Sequence, residues 1–292
     1  MKVHLKTSRR FFALAFALLL ALPFGVHASG TDKEREVRRA PLPFEPAEQL
    51  VYEGEFSKFL LRGIKIAEFR FTAGRAGESA GEGKADANTE TPQRLLFVGD
   101  VTSEGWFRKL FKIDFHFRVE SLVEREAFEV VRSKELDEQG KRVRMRESVF
   151  DRKGKTVTWT ETDPNDPKSP PRVATSPLDA PAHDIVSAIY FLRTQPLTPG
   201  RDFDITLSDS GRVYRVPVTV AAEPKAMKTA LGRVSVVRVE VGIFGKDRPL
   251  EGDGKLTIWM TTDARRVPVR ARMSSDMGQL DIKLKQTAPA AR

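Results

Sequence analysis

Two histidines, one helix-borne serine and a scatter of aspartates are the side chains whose types and spacing bear most directly on chemistry. His116 lies in an alternating stretch, and His183 stands directly before Asp184. A zinc centre needs several His, Cys or carboxylate ligands at convergent spacing, and no H-x-x-x-H or H-E-x-x-H run occurs. The chain has no cysteine, which excludes thiolate ligands, nucleophilic thiols, disulfides and lipid attachment at a cleavage-site cysteine. Ser187 follows His183 by four residues, a spacing that could pair nucleophile and base on a helix. A small polar residue at a helix–sheet contact is the favoured reading, because no G-x-S-x-G elbow is present. Asp184, Asp202, Asp204, Asp263, Asp276 and Asp281 could supply the facing carboxylates of a glycosidase, but most fall at caps or turns. Glycines occur singly, without a phosphate-cradling loop. No catalytic residue, metal ligand or cofactor is therefore assigned.

One surface segment stands out. From Gly105 to Lys112 bulky apolar and basic residues mix, with Trp106, Phe107, Arg108 and Lys109 at the front. This composition suits an interfacial tip whose aromatics enter a headgroup region; the favoured alternative is a turn whose aromatics fold back into the core.

The elements that must position these residues read mainly as strands. Ile113, Phe115, Phe117 and Val119 alternate with Asp114, His116, Arg118 and Glu120, and the same period of two recurs at 205–207, 216–220, 256–260, 267–271 and 280–284. Parity slips after Ile66, towards Phe69 and Phe71, and again between Val236 and Val237, which predicts bulged, bent strands. About a dozen strands are expected, forming a large curved antiparallel sheet or open barrel. One helix interrupts them: Asp184 is a suitable N-cap, Ile185, Ala188, Ile189 and Leu192 form an apolar stripe, and Gln195-Pro196 ends it. It should plug or cover the sheet.

The first 28 residues fall outside this pattern. Lys2, Lys6, Arg9 and Arg10 precede an apolar run from Phe11 to Leu22, and Val26-His27-Ala28 fits a small-residue cleavage site. This is the layout of an export signal, which predicts a periplasmic protein cleaved after about Ala28. Ser8-Arg9-Arg10-Phe11-Phe12 leaves open the twin-arginine route, although an ordinary secretory signal is favoured. Loss of these four basic residues lowers the net charge from +9 to +5. Such a modest excess, with no recognition motif, gives no reason to expect a nucleic-acid partner. No later apolar run is long enough for a transmembrane anchor. Residues 29–48 read as a flexible leader, 49–288 as one β-rich domain and 289–292 as a tail. Residues 73–93 and the six-proline stretch 162–181 read as mobile loops, the latter also as a subdomain boundary.

Two segments carry a family likeness. One is Asp184-x-x-Ser187-x-x-Tyr190-x-x-Arg193, followed by Pro196-Leu197 and Gly200. The other is Ile258-Trp259-Met260-Thr261-Thr262-Asp263-x-Arg265-Arg266-x-Pro268-Val269, followed by Gly278-x-Leu280. With Leu50-x-Tyr52 they resemble the exported bacterial family called domain of unknown function 3108, over roughly residues 45–285. The resemblance implies an envelope-associated, mostly β protein and no activity. Asp184, Ser187, Tyr190, Arg193, Asp263, Arg266 and Pro268 are expected to be structural, with Asp184 and Arg193 complementing the helix dipole and Asp263 closing its own turn.

The leading expectation is a non-enzymatic envelope protein binding a lipid-like ligand in a β-concavity, with Trp259, Tyr190 and Phe115 as candidate lining. The alternative is an interaction module with a filled core that docks on an envelope protein partner. A glycan or peptide hydrolase is the least supported.

Overall fold

The computed structural model describes residues 41–45, 47–76, 94–103, 105 and 114–289. The period-two segments become two antiparallel meanders. The first comprises β1 (Glu48–Lys58), β2 (Leu61–Arg75), β3 (Arg94–Ser103), β4 (Phe115–Glu124), β5 (Glu129–Gln139), β6 (Arg142–Asp151), β7 (Thr156–Thr162) and β8 (Arg172–Pro177). After the helix α1 (Ile185–Thr194) come β9 (Asp202–Asp209), β10 (Arg212–Val220), β11 (Lys225–Thr229), β12 (Gly232–Val241), β13 (Gly254–Thr261), β14 (Pro268–Ser275) and β15 (Gly278–Pro289). The last strand pairs with the first, so both meanders form one sheet in the order β8-β7-β6-β5-β4-β3-β2-β1-β15-β14-β13-β12-β10-β9, with β11 beside β12. The sheet is open, not a closed barrel.

Its two ends nonetheless approach each other. Ser176 Oγ donates to the carbonyl of Gly211 at 2.6 Å, joining β8 to the β9–β10 turn. Gly211 has φ +78, and a Cβ there would lie 2.7 Å from the Cβ of Ala174. Only glycine allows both the turn and the approach. The outer edge of β9 is itself covered: His183 N donates to Thr206 O, and Ser208 N donates to His183 O.

The curl encloses α1, which packs on both meanders. Val186 and Tyr190 join Phe97, Val119, Val123, Phe128 and Phe150, whereas Leu192 joins Ile205, Val218, Val239, Ile258 and Met260. This alters the expected stripe. Ile185 and Ile189 are only half-buried, while Ser187, Tyr190 and Arg193 are almost wholly buried. A helix wrapped from two sides has no solvent face to reserve for its polar residues.

Several local expectations change similarly. The slip after Ile66 is a bulge, since β1–β2 register skips that residue between the Gly54–Ala67 and Glu55–Lys65 pairs. The slip in β12 is not: Val236 to Val241 pair with β13 without a break. Val236 and Val237 are both buried because they face different clusters, Leu50, Tyr52 and Val267 on one side and Ile205, Val218 and Met260 on the other. The proline-rich stretch 162–181 contains β8, held by backbone pairing to β7 despite exposed side chains. The segment read as leader enters the core at Phe44, which is 5% exposed, and β1 starts at Glu48. Finally, β2 outruns β3: the outermost β2–β3 pair is Ala67–Ser103, but β1–β2 pairing continues to Lys58–Leu61, with β15 beside β1 as far as Ser57–Gln279.

Candidate functional site

The two ends of α1 carry the densest polar chemistry of the interior. At the C-terminal end Arg193 is fully buried and forms a two-pronged salt bridge with Glu48, its Nη2 lying 3.1 Å from Oε2. The same Nη2 donates to Pro43 O at 2.9 Å, and both Nη2 and Nε donate to Arg265 O at 3.1 Å. The guanidinium also lies over the rings of Phe44 and Tyr190, at 5.3 and 5.5 Å. In return Arg266 Nη1 donates to Arg193 O at 3.0 Å. Tyr52 OH donates to Pro268 O at 2.7 Å, and Asp263 Oδ1 accepts from Thr261 Oγ1 and Arg266 N. The three segments of the sequence likeness thus meet in one joint. Glu48, 145 residues from Arg193, was hidden in the supposed leader and is the partner sequence spacing could not supply.

At the N-terminal end Asp184 caps the helix. Its Oδ1 accepts from Ser121 Oγ, Val186 N, Ser187 N and Ser187 Oγ, between 2.7 and 3.1 Å, while the buried Oδ2 has no protein partner. Asp184 borders a cavity of about 60 Å³ whose other walls include Glu135, Arg146, Trp159, Asp209 and Leu250. Arg146 is gripped by Glu135, by Glu161 at 2.7 Å and by Asp137 at 3.2 Å. Burial, reinforced by the Glu135 charge, pushes the Asp209 carboxyl up to about 7. Burial drives His183 down to about 3, so this ring, stacked 4.2 Å from Phe191, is neutral at ordinary pH. Ser187 Oγ is spent on Asp184, leaving no nucleophile–base pair with His183. Among the described residues no group of three or more His, Asp or Glu could hold a metal ion.

The remaining sequence candidates fall apart in space. Tyr190 stacks on Phe97 at 4.1 Å in the core. Phe115 packs in a separate cluster with Ile66 and Ala67. Trp259 is half-buried with the guanidinium groups of Arg270 and Arg272 at 5.3 and 5.8 Å from its ring. No common lining joins these three. His116, on an outer face, bonds Glu138 at 2.8 Å and Asp100 at 3.1 Å. Asp204 pairs with Arg215, and Asp281 with Arg270 and Arg272, so these carboxylates serve as cross-strand ion pairs. Trp106, Phe107, Arg108 and Lys109 lie outside the described residues, as do residues 1–40 and 77–93.

A cavity of about 60 Å³ holds a few waters; lipid or drug-sized ligands occupy roughly 300–1,000 Å³. A larger hollow, about 610 Å³, opens at the rim between residues 41–48, the β13–β14 turn and the end of β15, where the described chain begins. Its lining includes Glu48 and Arg265, which belong to the Arg193 joint, as well as Thr287.

The chain belongs to the family described as protein of unknown function (DUF3108), which matches residues 68–285. No curated protein matches the sequence. Among solved structures it resembles a β-barrel-like protein of domain of unknown function DUF1849 from Brucella abortus, with TM-score 0.50 and 10% identity over 82% of this chain and 96% of that one. A candidate exported protein with YmcC-like fold from Bacteroides fragilis aligns with TM-score 0.28 and 11% identity, covering 85% and 98% of the two chains. A candidate lipoprotein from Parabacteroides distasonis aligns with TM-score 0.32 and 9% identity, covering 85% and 97%. The first likeness shows the fold alone. No helix among the described residues is long and apolar enough to cross a membrane.

Proposed function

We propose that this family member is exported and works at the bacterial envelope by surface contact, as an interaction module rather than a carrier of lipid or an enzyme. The observation that carries this reading is the occupied interior: α1 and the side chains around it take the space an up-and-down barrel would give to a ligand. The space left beside Asp184 is too small for an acyl chain, and the larger hollow at the rim is open and carries the charged groups Glu48 and Arg265 rather than a closed apolar lining. The signal-like layout of residues 1–28 supports export. The polar groups at both ends of α1 fix the helix inside the sheet, and Ser187 Oγ is held by Asp184 rather than by His183.

Native mass spectrometry of protein recovered from the exported fraction tests this. The expected spectrum shows the bare polypeptide or a complex with another envelope component, without stoichiometric lipid. A one-to-one lipid adduct that survives gentle activation would overturn the reading and restore the carrier.

A further inference from the structure

The β1–β2 hairpin ends on Phe59 and Leu60, which are 87% and 97% exposed, followed by Leu61 at 48%. Among the described residues the other large exposed apolar ones, Met145, Val149 and Val173, are set apart on β6 and β8. Lys58 and Arg62 bracket the tip, with Lys58 Nζ 5.5 Å from the Phe59 ring centre. No carboxylate occurs between Ser57 and Ile64, and the nearest along the chain, Glu55, is held by Lys283 at 2.6 Å.

Nothing in the folding of this hairpin calls for these residues. Phe59 sits at φ 50, the left-handed position of a tight turn that Asn or Gly fills at least cost. A bulky apolar residue there adds backbone strain and leaves its own surface in water. On the β3 side the hairpin runs six residues beyond the Ala67–Ser103 pair, about 20 Å, while on the other side β15 stays paired as far as Ser57–Gln279, so Lys58–Arg62 is the part that stands past both strands.

We propose that the Lys58–Arg62 tip docks on an anionic phospholipid surface. Phe59 and Leu60 enter the boundary between headgroups and acyl chains, and Lys58 and Arg62 meet the phosphates. The charge of the tip selects this occupant, and so does its size. A stable protein interface buries upwards of about 1,000 Å², more than two turn residues and their flanks present, whereas an interfacial wedge needs only a few inserted side chains. The proposal rests on the contact reading above and names the surface contacted.

Vesicle flotation of protein recovered from the exported fraction provides the test, using phosphatidylcholine alone or mixed equally with phosphatidylglycerol. The wild type should float with the mixed vesicles, not with pure phosphatidylcholine, and binding should fall at high salt. Phe59→Asn with Leu60→Ser should weaken partitioning by about tenfold or more while leaving the thermal midpoint unchanged or raised, since Asn suits the turn. Lys58→Glu with Arg62→Glu should abolish the preference for anionic lipid. Failure of the wild type to float, equal binding to both vesicles, or full binding by the Phe59/Leu60 variant would each overturn the proposal. None of these failures alters the native mass spectrum, so the filled-interior reading is judged separately.

Discussion

Arg193 shows what a buried charge does when every donor is used. Removing it leaves the largely buried Glu48 side chain with only the more exposed Arg265 guanidinium, 3.5 Å away, which costs more than the pair itself contributes. Arg193→Met should therefore destabilise the protein by about 3–5 kcal/mol in urea unfolding, and adding Glu48→Leu should recover part of that loss. Two further groups set the pH response. Asp209 holds its proton more tightly folded, near 7, than unfolded, near 3.8; its contribution to stability therefore declines as pH rises through that window. His183 is the reverse: its folded value near 3 lies below the unfolded 6.5, so stability is lost as pH falls below about 6.5. The two slopes oppose each other between about pH 4 and 6.5, so thermal melts there should show Asp209→Asn unmasking a rise in stability with pH and His183→Gln unmasking a fall. At this scale the sequence offered residue identities and caps but not partners. Asp184 as an N-cap follows from three neighbouring residues; the Glu48 bridge follows only from the fold.

Strands were visible because one face of each meets the core, and a period of two survives wherever that holds. It fails where both faces are covered, as at Val236 and Val237 in β12, or where neither is deeply buried, as in β8. A helix inside the curl loses its stripe for the same reason. The contact between sheet ends is equally silent in sequence, because it depends on one absent Cβ. Gly211→Ala should strain the turn and push β8 away, lowering stability by about 1–3 kcal/mol. Hydrogen exchange should locate the loss of protection in β7–β8 while β1 and β15 stay protected.

For the molecule as a whole, the informative pairing is β1 with β15. It converts two local meanders into one continuous sheet, so no strand near the middle can be lost alone. A chain ending before Gly278 should fail to fold cooperatively, seen as collapse of the near-ultraviolet circular dichroism and of the sharp thermal transition, rather than shedding a single strand. The mainly β class and the helix α1 were readable from residue patterns; strand order was not, since periodicity reports which face is buried and never which neighbour covers it.

The clasp between the first strand and the last also sets a timetable. A ribosome makes Glu48 long before Pro289, so throughout synthesis the β1 edge waits for a partner that does not yet exist. The growing polypeptide can pair β1 with β2 but cannot join its two meanders until the final stretch has been made. Closure of this fold is thus a late event, fixed by the order in which the chain is made.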